Sequence, residues 1–179
     1  MGKREEVKFA KKPRDSYFTI DPAAVQALAP YLPYKARYIE PCAGAGHLID
    51  ELSKYDKALI KAFDIEPQKP YIIKKSALDL KEKDLDNAEM FISNPPFTWS
   101  VLQPLMDHMI SLLPTWLLLP ADYMHNIRMA KYMNKCSKVV SVGRLYWEEN
   151  KVKGVDNYCW YLFEDCQQAF TNFIGRNTK

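Results

Sequence analysis

The chain has 179 residues and a mass of 20.8 kDa, room for one domain and little more. Apolar residues make up 47% and aromatics 13%, which supports a real core and excludes wholesale disorder, a collagen-like repeat or a cysteine-stapled miniprotein. The net charge of +3 is uneven: residues 1–14 hold six basic and two acidic side chains and residues 126–154 seven and two, so the remainder must sum to −6.

Two basic segments beside a more acidic body suit a polyanion, although solvated surface lysines would give the same count. The N-terminus, MGKREEVKFAKKPR, has no apolar centre, so no signal peptide is expected. The longest apolar stretch, residues 109–120, is interrupted by Pro114 and is too short for a bilayer. Cys42, Cys136, Cys159 and Cys166 show no metal-ligand spacing. The expectation is a cytoplasmic protein with buried thiols, no zinc and no membrane partner.

Residues 1–14 read as a basic flexible arm. Asp21 and Pro22 then open a helix over AAVQALAPYL, with Asp21 as N-cap and Pro22 at its first position. Residues 37–40 (RYIE) form a first strand, residues 41–46 a turn, and HLIDELSKY a helix. A second strand is expected at 58–63, closed by Asp64, and a third near 71–73. Another strand over 88–93 runs into Asn94-Pro95-Pro96-Phe97. A helix follows over 101–113, then a strand over 116–119, a helix over 122–133, and strands at 138–142 and 158–163. The alternation predicts an α/β fold, a mainly parallel seven-stranded sheet with helices on both faces. Its functional loops should lie at the carboxyl edges of the strands.

Three unusual segments fall at such edges: EPCAGAGH, FDIEP and SNPPF. Gly44 and Gly46 allow a tight turn and close ligand approach. The third glycine of a dinucleotide fingerprint is replaced by Ile49, so a pyrophosphate ligand and nicotinamide chemistry rank last. Glu40 at the strand tip would repel phosphate and suit a cation. Asp64, at the next strand tip, can accept two hydrogen bonds from ribose hydroxyls. Together they point to a nucleoside ligand without phosphates.

The Asn-Pro-Pro-Phe segment carries the most chemistry. Two prolines stiffen the loop and remove two N–H donors. The Asn94 side-chain oxygen and the Pro95 carbonyl can accept both hydrogens of a planar amino group. Such acceptors offset the positive charge that grows as the nitrogen attacks. Phe97 offers a flat face to a base.

With these residues in place, the sequence resembles the class I S-adenosylmethionine-dependent methyltransferases. More narrowly it looks like the amino-methyltransferases with an Asn/Asp-Pro-Pro-Tyr/Phe motif, best known as DNA adenine-N6 methyltransferases. The resemblance implies a cofactor, S-adenosylmethionine, whose methionine part lies at Glu40, Pro41, Cys42, Ala43, Gly44 and Gly46. It implies a ribose on Asp64, with Ile65 packed on the adenine, and an adenine amine held by Ser76 or by Asp79. Tyr17 and Thr19, in a Tyr-x-Thr element before the first helix, would close over the methionine end. Asn94, Pro95, Pro96 and Phe97 become the catalytic segment. Arg144, Trp147 and Trp160 are loose counterparts of a late Arg-x-x-aromatic pair and a Trp-rich strand.

The implied partner is nucleic acid, with DNA favoured over RNA. The motif also serves RNA adenine-N6 and protein glutamine-N5 methylation, and a non-catalytic cofactor-binding subunit is a further alternative. Only 82 residues follow Phe97. Hence the expectation of one domain over residues 15–179, without a separate target-recognition domain. A partner subunit or second copy would supply recognition.

Overall fold

The computed structural model describes residues 17–176, so the predicted basic arm lies outside the described residues. Eight strands form one mixed sheet: β1 (Arg37–Glu40), β2 (Ala58–Asp64), β3 (Ile73–Lys74), β4 (Met90–Ser93), β5 (Thr115–Pro120), β6 (Cys136–Tyr146), β7 (Lys153–Phe163) and β8 (Asn172–Ile174). Their order is β3-β2-β1-β4-β5-β7-β6-β8. The first five run parallel, β7 is antiparallel to β5 and to β6, and β8 pairs parallel with β6. The predicted α/β class holds, with an eighth strand in place of seven. That strand escaped prediction because three residues, two of them exposed, leave no periodic signal.

Among the described residues there are five α-helices, α1 (Ala23–Leu28) before the first strand and α2 (His47–Leu52), α3 (Glu82–Leu85), α4 (Trp99–Leu112) and α5 (Ala130–Met133) between strands. Side chains of successive strand residues point to opposite faces, and both faces are covered. Tyr38, Ile92, Trp116, Leu118 and Trp160 pack with α1 and α2. Ile39, Phe91, Leu117, Leu119, Tyr161 and Phe163 pack with α4. This explains why β5 is buried at every position; a strand covered twice reads as a continuous apolar run. The Trp160 indole N–H also donates to the Ala24 carbonyl at 2.8 Å, pinning α1 to β7. Trp160 is therefore core, whereas Trp147 lies elsewhere.

Helix α4 buries Leu102, Leu105, Met106, Met109 and Ile110, an i, i+3, i+4, i+7, i+8 stripe. The single helix predicted over 122–133 is broken. Residues 121–125 and 127–129 are 3-10 turns, and only α5 is α-helical. Asn126 stands between them in extended conformation, its side chain accepting from the Arg128 N–H. An Asn side chain competes with helical hydrogen bonding in this way. Asp21 does hold the start of α1, accepting from the Ala23 N–H at 3.0 Å, but Pro22 takes the cap position instead of the first helical one.

Strands β6 and β7 are longer than predicted. Tyr158 is the last β7 residue opposite β5, at Pro120, and residues 153–157 continue outward paired only with β6. The resulting hairpin overhangs the carboxyl edge of the parallel strands. Of the cysteines, Cys136 and Cys159 are buried as expected, Cys42 is half-buried, and Cys166 is exposed, contrary to expectation. Among the described residues no helix is long and apolar enough to cross a membrane.

Candidate cofactor and amine site

The tips of β1, β2 and β4 converge. Glu40, at the end of β1, is 1% exposed. Its Oε1 accepts from the Ser93 hydroxyl at 2.6 Å and from the Cys42 N–H at 3.1 Å. Its Oε2 is buried without a partner. Burial pushes this carboxyl up from 4.5 to about 8; the Ser93 and Cys42 hydrogen bonds oppose the rise, and the charge of Asp64 adds to it.

The turn after β1 needs its glycines. Gly44 and Gly46 have φ of 50° and 78°, in the left-handed region that disfavours a Cβ. A Cβ on Gly44 would also come within 2.8 Å of the Phe18 ring, and one on Gly46 would run into the Tyr71 hydroxyl. Asp64 sits across this turn. One of its oxygens accepts from the Gly44 N–H and the other from the Glu66 N–H, both at 2.7 Å. The predicted ribose acid thus already braces the glycine turn. Each carboxylate oxygen keeps a second lone-pair site for a ligand.

Two hollows flank the turn. The larger, about 320 Å³, is lined by Tyr17, Pro41, Cys42, Gly44, Asp64, Ile65, Ser76, Asn94 and Pro96 among the predicted residues. The smaller, about 20 Å³, is lined by Tyr17, Thr19, Glu40, Cys42, Ala43 and Asn94 among them. Gly46 shapes the turn without lining either hollow, and neither Pro95 nor Phe97 lines them. Of Ser76 and Asp79, only Ser76 reaches the larger hollow. Its hydroxyl caps a 3-10 turn by accepting from the Leu78 N–H, and Asp79 lies within that turn, away from the wall.

Sequence reasoning missed several lining residues. Leu78, Val101 and Pro104 join Ile65 on the larger hollow. Ile65, Leu78 and Val101 are 53%, 45% and 43% exposed, unusual for large apolar side chains clustered on one concave wall. Such a wall suits a flat apolar ring. Pro104, a proline inside α4, was the one available signal. Phe18 lines both hollows.

Asn94 stands where the hollows meet. Its Nδ2 donates to the Tyr17 carbonyl at 2.7 Å. Its Oδ1 is buried and has no partner. The Tyr17 carbonyl therefore fixes the orientation of the amide and leaves its oxygen as the unused acceptor. Around it stands an aromatic group. The Tyr17 ring stacks on Phe97 with centroids 6.0 Å apart, Trp147 lies edge-on to both, and Tyr158 is 5.9 Å from Phe97. The predicted open face of Phe97 is thus covered by Tyr17. Trp147 comes from the link between β6 and β7. Tyr158 is buried and packs against Phe97 and Trp147. The Tyr123 hydroxyl on the 3-10 turn donates to the Phe97 carbonyl at 3.1 Å, bracing the loop.

The basic segment is partly spent on internal pairs: Lys131 with Asp107 at 2.8 Å and Lys135 with Asp165. Arg144 is exposed on the overhanging hairpin.

The strand order, with its antiparallel β7 and the site at the carboxyl edge, is the fold of the class I S-adenosylmethionine-dependent methyltransferases. The residues fit that cofactor: a buried unpaired acid oxygen for its ammonium, and an apolar wall for its adenine. Scans of family models and of curated proteins find no match. Solved structures do match. The M protein of the type I restriction enzyme EcoKI (EC 2.1.1.72) is 16% identical with a TM-score of 0.55, over 88% of this chain and 46% of its own. The methyltransferase subunit of a type I restriction-modification system from Streptococcus thermophilus is 11% identical, TM-score 0.57, over 93% and 48%. A protein from Pyrococcus horikoshii described as a candidate RNA methyltransferase is 10% identical, TM-score 0.53, over 79% and 80%. The chain spans about half the length of these restriction-modification subunits, and at these identities the likeness is one of fold.

Proposed function

We propose that the protein transfers a methyl group from S-adenosylmethionine to the exocyclic amine of a nucleic-acid base, adenine N6 in DNA first among the candidates. The observation that carries this reading is Asn94 Oδ1, a buried acceptor without a partner, in an Asn-Pro-Pro-Phe loop beside the glycine turn. An unpaired buried oxygen costs about 1–3 kcal/mol, and an incoming N–H would satisfy it.

When bound, S-adenosylmethionine supplies an electrophilic methyl group. Glu40 would hold its ammonium, Asp64 its ribose, and Ile65, Leu78 and Val101 its adenine. Asn94 Oδ1 and the Pro95 carbonyl accept the two hydrogens of the target amine. They favour a pyramidal nitrogen and offset the positive charge that develops on it as the sulfonium would leave as a neutral thioether, until one N–H proton is lost to solvent. Most of the acceleration is orientation and electrostatics, with no covalent intermediate on the chain. The aromatic group beside the Asn-Pro-Pro-Phe loop, with Tyr17 and Trp147 only partly buried, favours a base over a glutamine amide, since stacking rewards a flat π-face. The base must leave its helix to reach them. The restriction-modification likeness supports DNA, and recognition would come from a partner subunit, a second copy or the basic segments. Residues 15–179 would act as one catalytic domain, in the cytoplasm.

A labelled-methyl assay with DNA, RNA and protein side by side, followed by nucleoside mass spectrometry, tests this. N6-methyladenine from DNA is the expected product. Label in protein, or in no polymer, overturns the reading.

A further inference from the structure

Among the described residues five buried side-chain polar atoms lack a hydrogen-bond partner. Three of them, Glu40 Oε2, His47 Nδ1 and Asn94 Oδ1, belong to residues around the same small hollow. Buried polar atoms are ordinarily paired, so their convergence marks a place where a polar ligand belongs. The proposed function uses Glu40 and Asn94 and leaves His47 unexplained.

We propose that His47 binds the carboxylate at the amino-acid end of the cofactor, through Nδ1–H. The assignment rests on the cofactor reading above. An α-amino acid carries an ammonium and a carboxylate on one carbon. The hollow offers an unpaired carboxylate oxygen from Glu40 and an unpaired imidazole nitrogen from His47, which match those two groups in kind. No lysine or arginine lines it. The carboxylate must therefore find neutral donors, and His47, the buried Thr19 and Tyr17 are side chains on that wall that carry one. A neutral imidazole protonated at Nδ1 donates there, and a hydrogen bond to an ionised acceptor is stronger than a neutral one.

The local fold holds His47 in place. It is the first residue of α2, directly after left-handed Gly46, whose N–H closes the turn onto the Ala43 carbonyl at 2.7 Å. Its ring lies 5.6 Å from that of Phe18, tilted by 34°. Phe18 also covers Gly44 and borders both hollows. At about 20 Å³ the small hollow holds little more than a water-sized group. Entry of the carboxylate would need the Phe18 ring, which borders both hollows, to shift.

The decisive comparison pairs S-adenosylmethionine with its decarboxylated form, titrated by calorimetry into wild-type, His47→Ala and His47→Gln protein. Expected is a 10- to 100-fold loss of affinity for S-adenosylmethionine in His47→Ala, no change for the decarboxylated ligand, and partial recovery in His47→Gln, which keeps a donor. Equal losses for both ligands, or no loss, overturn the assignment while the cofactor reading stands. Wild-type protein that binds neither ligand overturns both. Thermal melts of the three proteins separate a folding defect from a binding one.

Discussion

The two halves of the site are built differently. Around β1 and β2 the chain's own backbone makes the site: a glycine turn, two strand-tip acids, and amides braced within about twenty residues of one another. Around β4 and the β6–β7 hairpin, side chains from remote segments make it. Tyr17, Phe97, Trp147 and Tyr158 meet across most of the chain's length. A site made by local backbone leaves a local signature and tolerates few residues. A site assembled by tertiary packing leaves little signature, and each ring shares its load with the others.

That contrast predicts unequal sensitivity. The largest effect belongs to the residue joining the two halves. Asn94→Ala should reduce methyl transfer by about a thousandfold and leave the calorimetric Kd for cofactor nearly unchanged; a surviving single-turnover rate would break the assignment. Next is Gly44→Ala. It forces a Cβ into a left-handed position and against Phe18, so cofactor affinity should fall at least tenfold, with a stability loss of about 1–2 kcal/mol in a denaturant melt. Unaltered cofactor binding would mean that the turn is not where the cofactor lies.

Glu40 gives a pH signature. Its carboxyl titrates near 8 in the folded protein and at 4.5 ordinarily. Between those values the folded state holds a proton that the unfolded chain has released. Stability of the ligand-free protein should therefore fall as pH rises through that window, by at most about 1.4 kcal/mol per unit. An ammonium beside Glu40 favours the ionised form. Cofactor affinity should accordingly rise with pH, up to tenfold per unit, until about 8. Calorimetry in two buffers of different ionisation enthalpy counts the released proton. Glu40→Gln should abolish both the proton and the slope. A wild-type protein that releases no proton detaches Glu40 from the ammonium.

The smallest effect is expected on the aromatic side. Trp147→Ala removes one ring of four, and should raise the KM for an oligonucleotide about fivefold while cofactor affinity holds. An equal loss in both would place Trp147 in the scaffold rather than at the target.

The same contrast explains what the sequence could tell. The three edge segments were legible because prolines, glycines and strand-end acids have few other reasons to fall in series. The apolar wall of the larger hollow was not, because Leu78 and Val101 look like any core residue until their exposure is seen. The break at Asn126 was hidden because the surrounding residues keep a helical composition while one side chain caps the wrong turn. The covering of Phe97 by Tyr17 joins residues whose only link is the fold itself. That Ser76 and not Asp79 lines the larger hollow depends on the orientation of a single 3-10 turn.

The hydroxyl of Ser93 ties the tip of β4 to Glu40 on β1, and Ser93 is the residue before Asn94. The amide proposed to grip the target is thus yoked, one peptide link away, to the carboxyl proposed to face the methyl donor. A donor arriving at Glu40 alters the charge at the other end of that yoke, so loading one ligand should tune the grip on the other. A Ser93→Ala chain would keep both loops and lose the linkage, leaving the two affinities to vary independently.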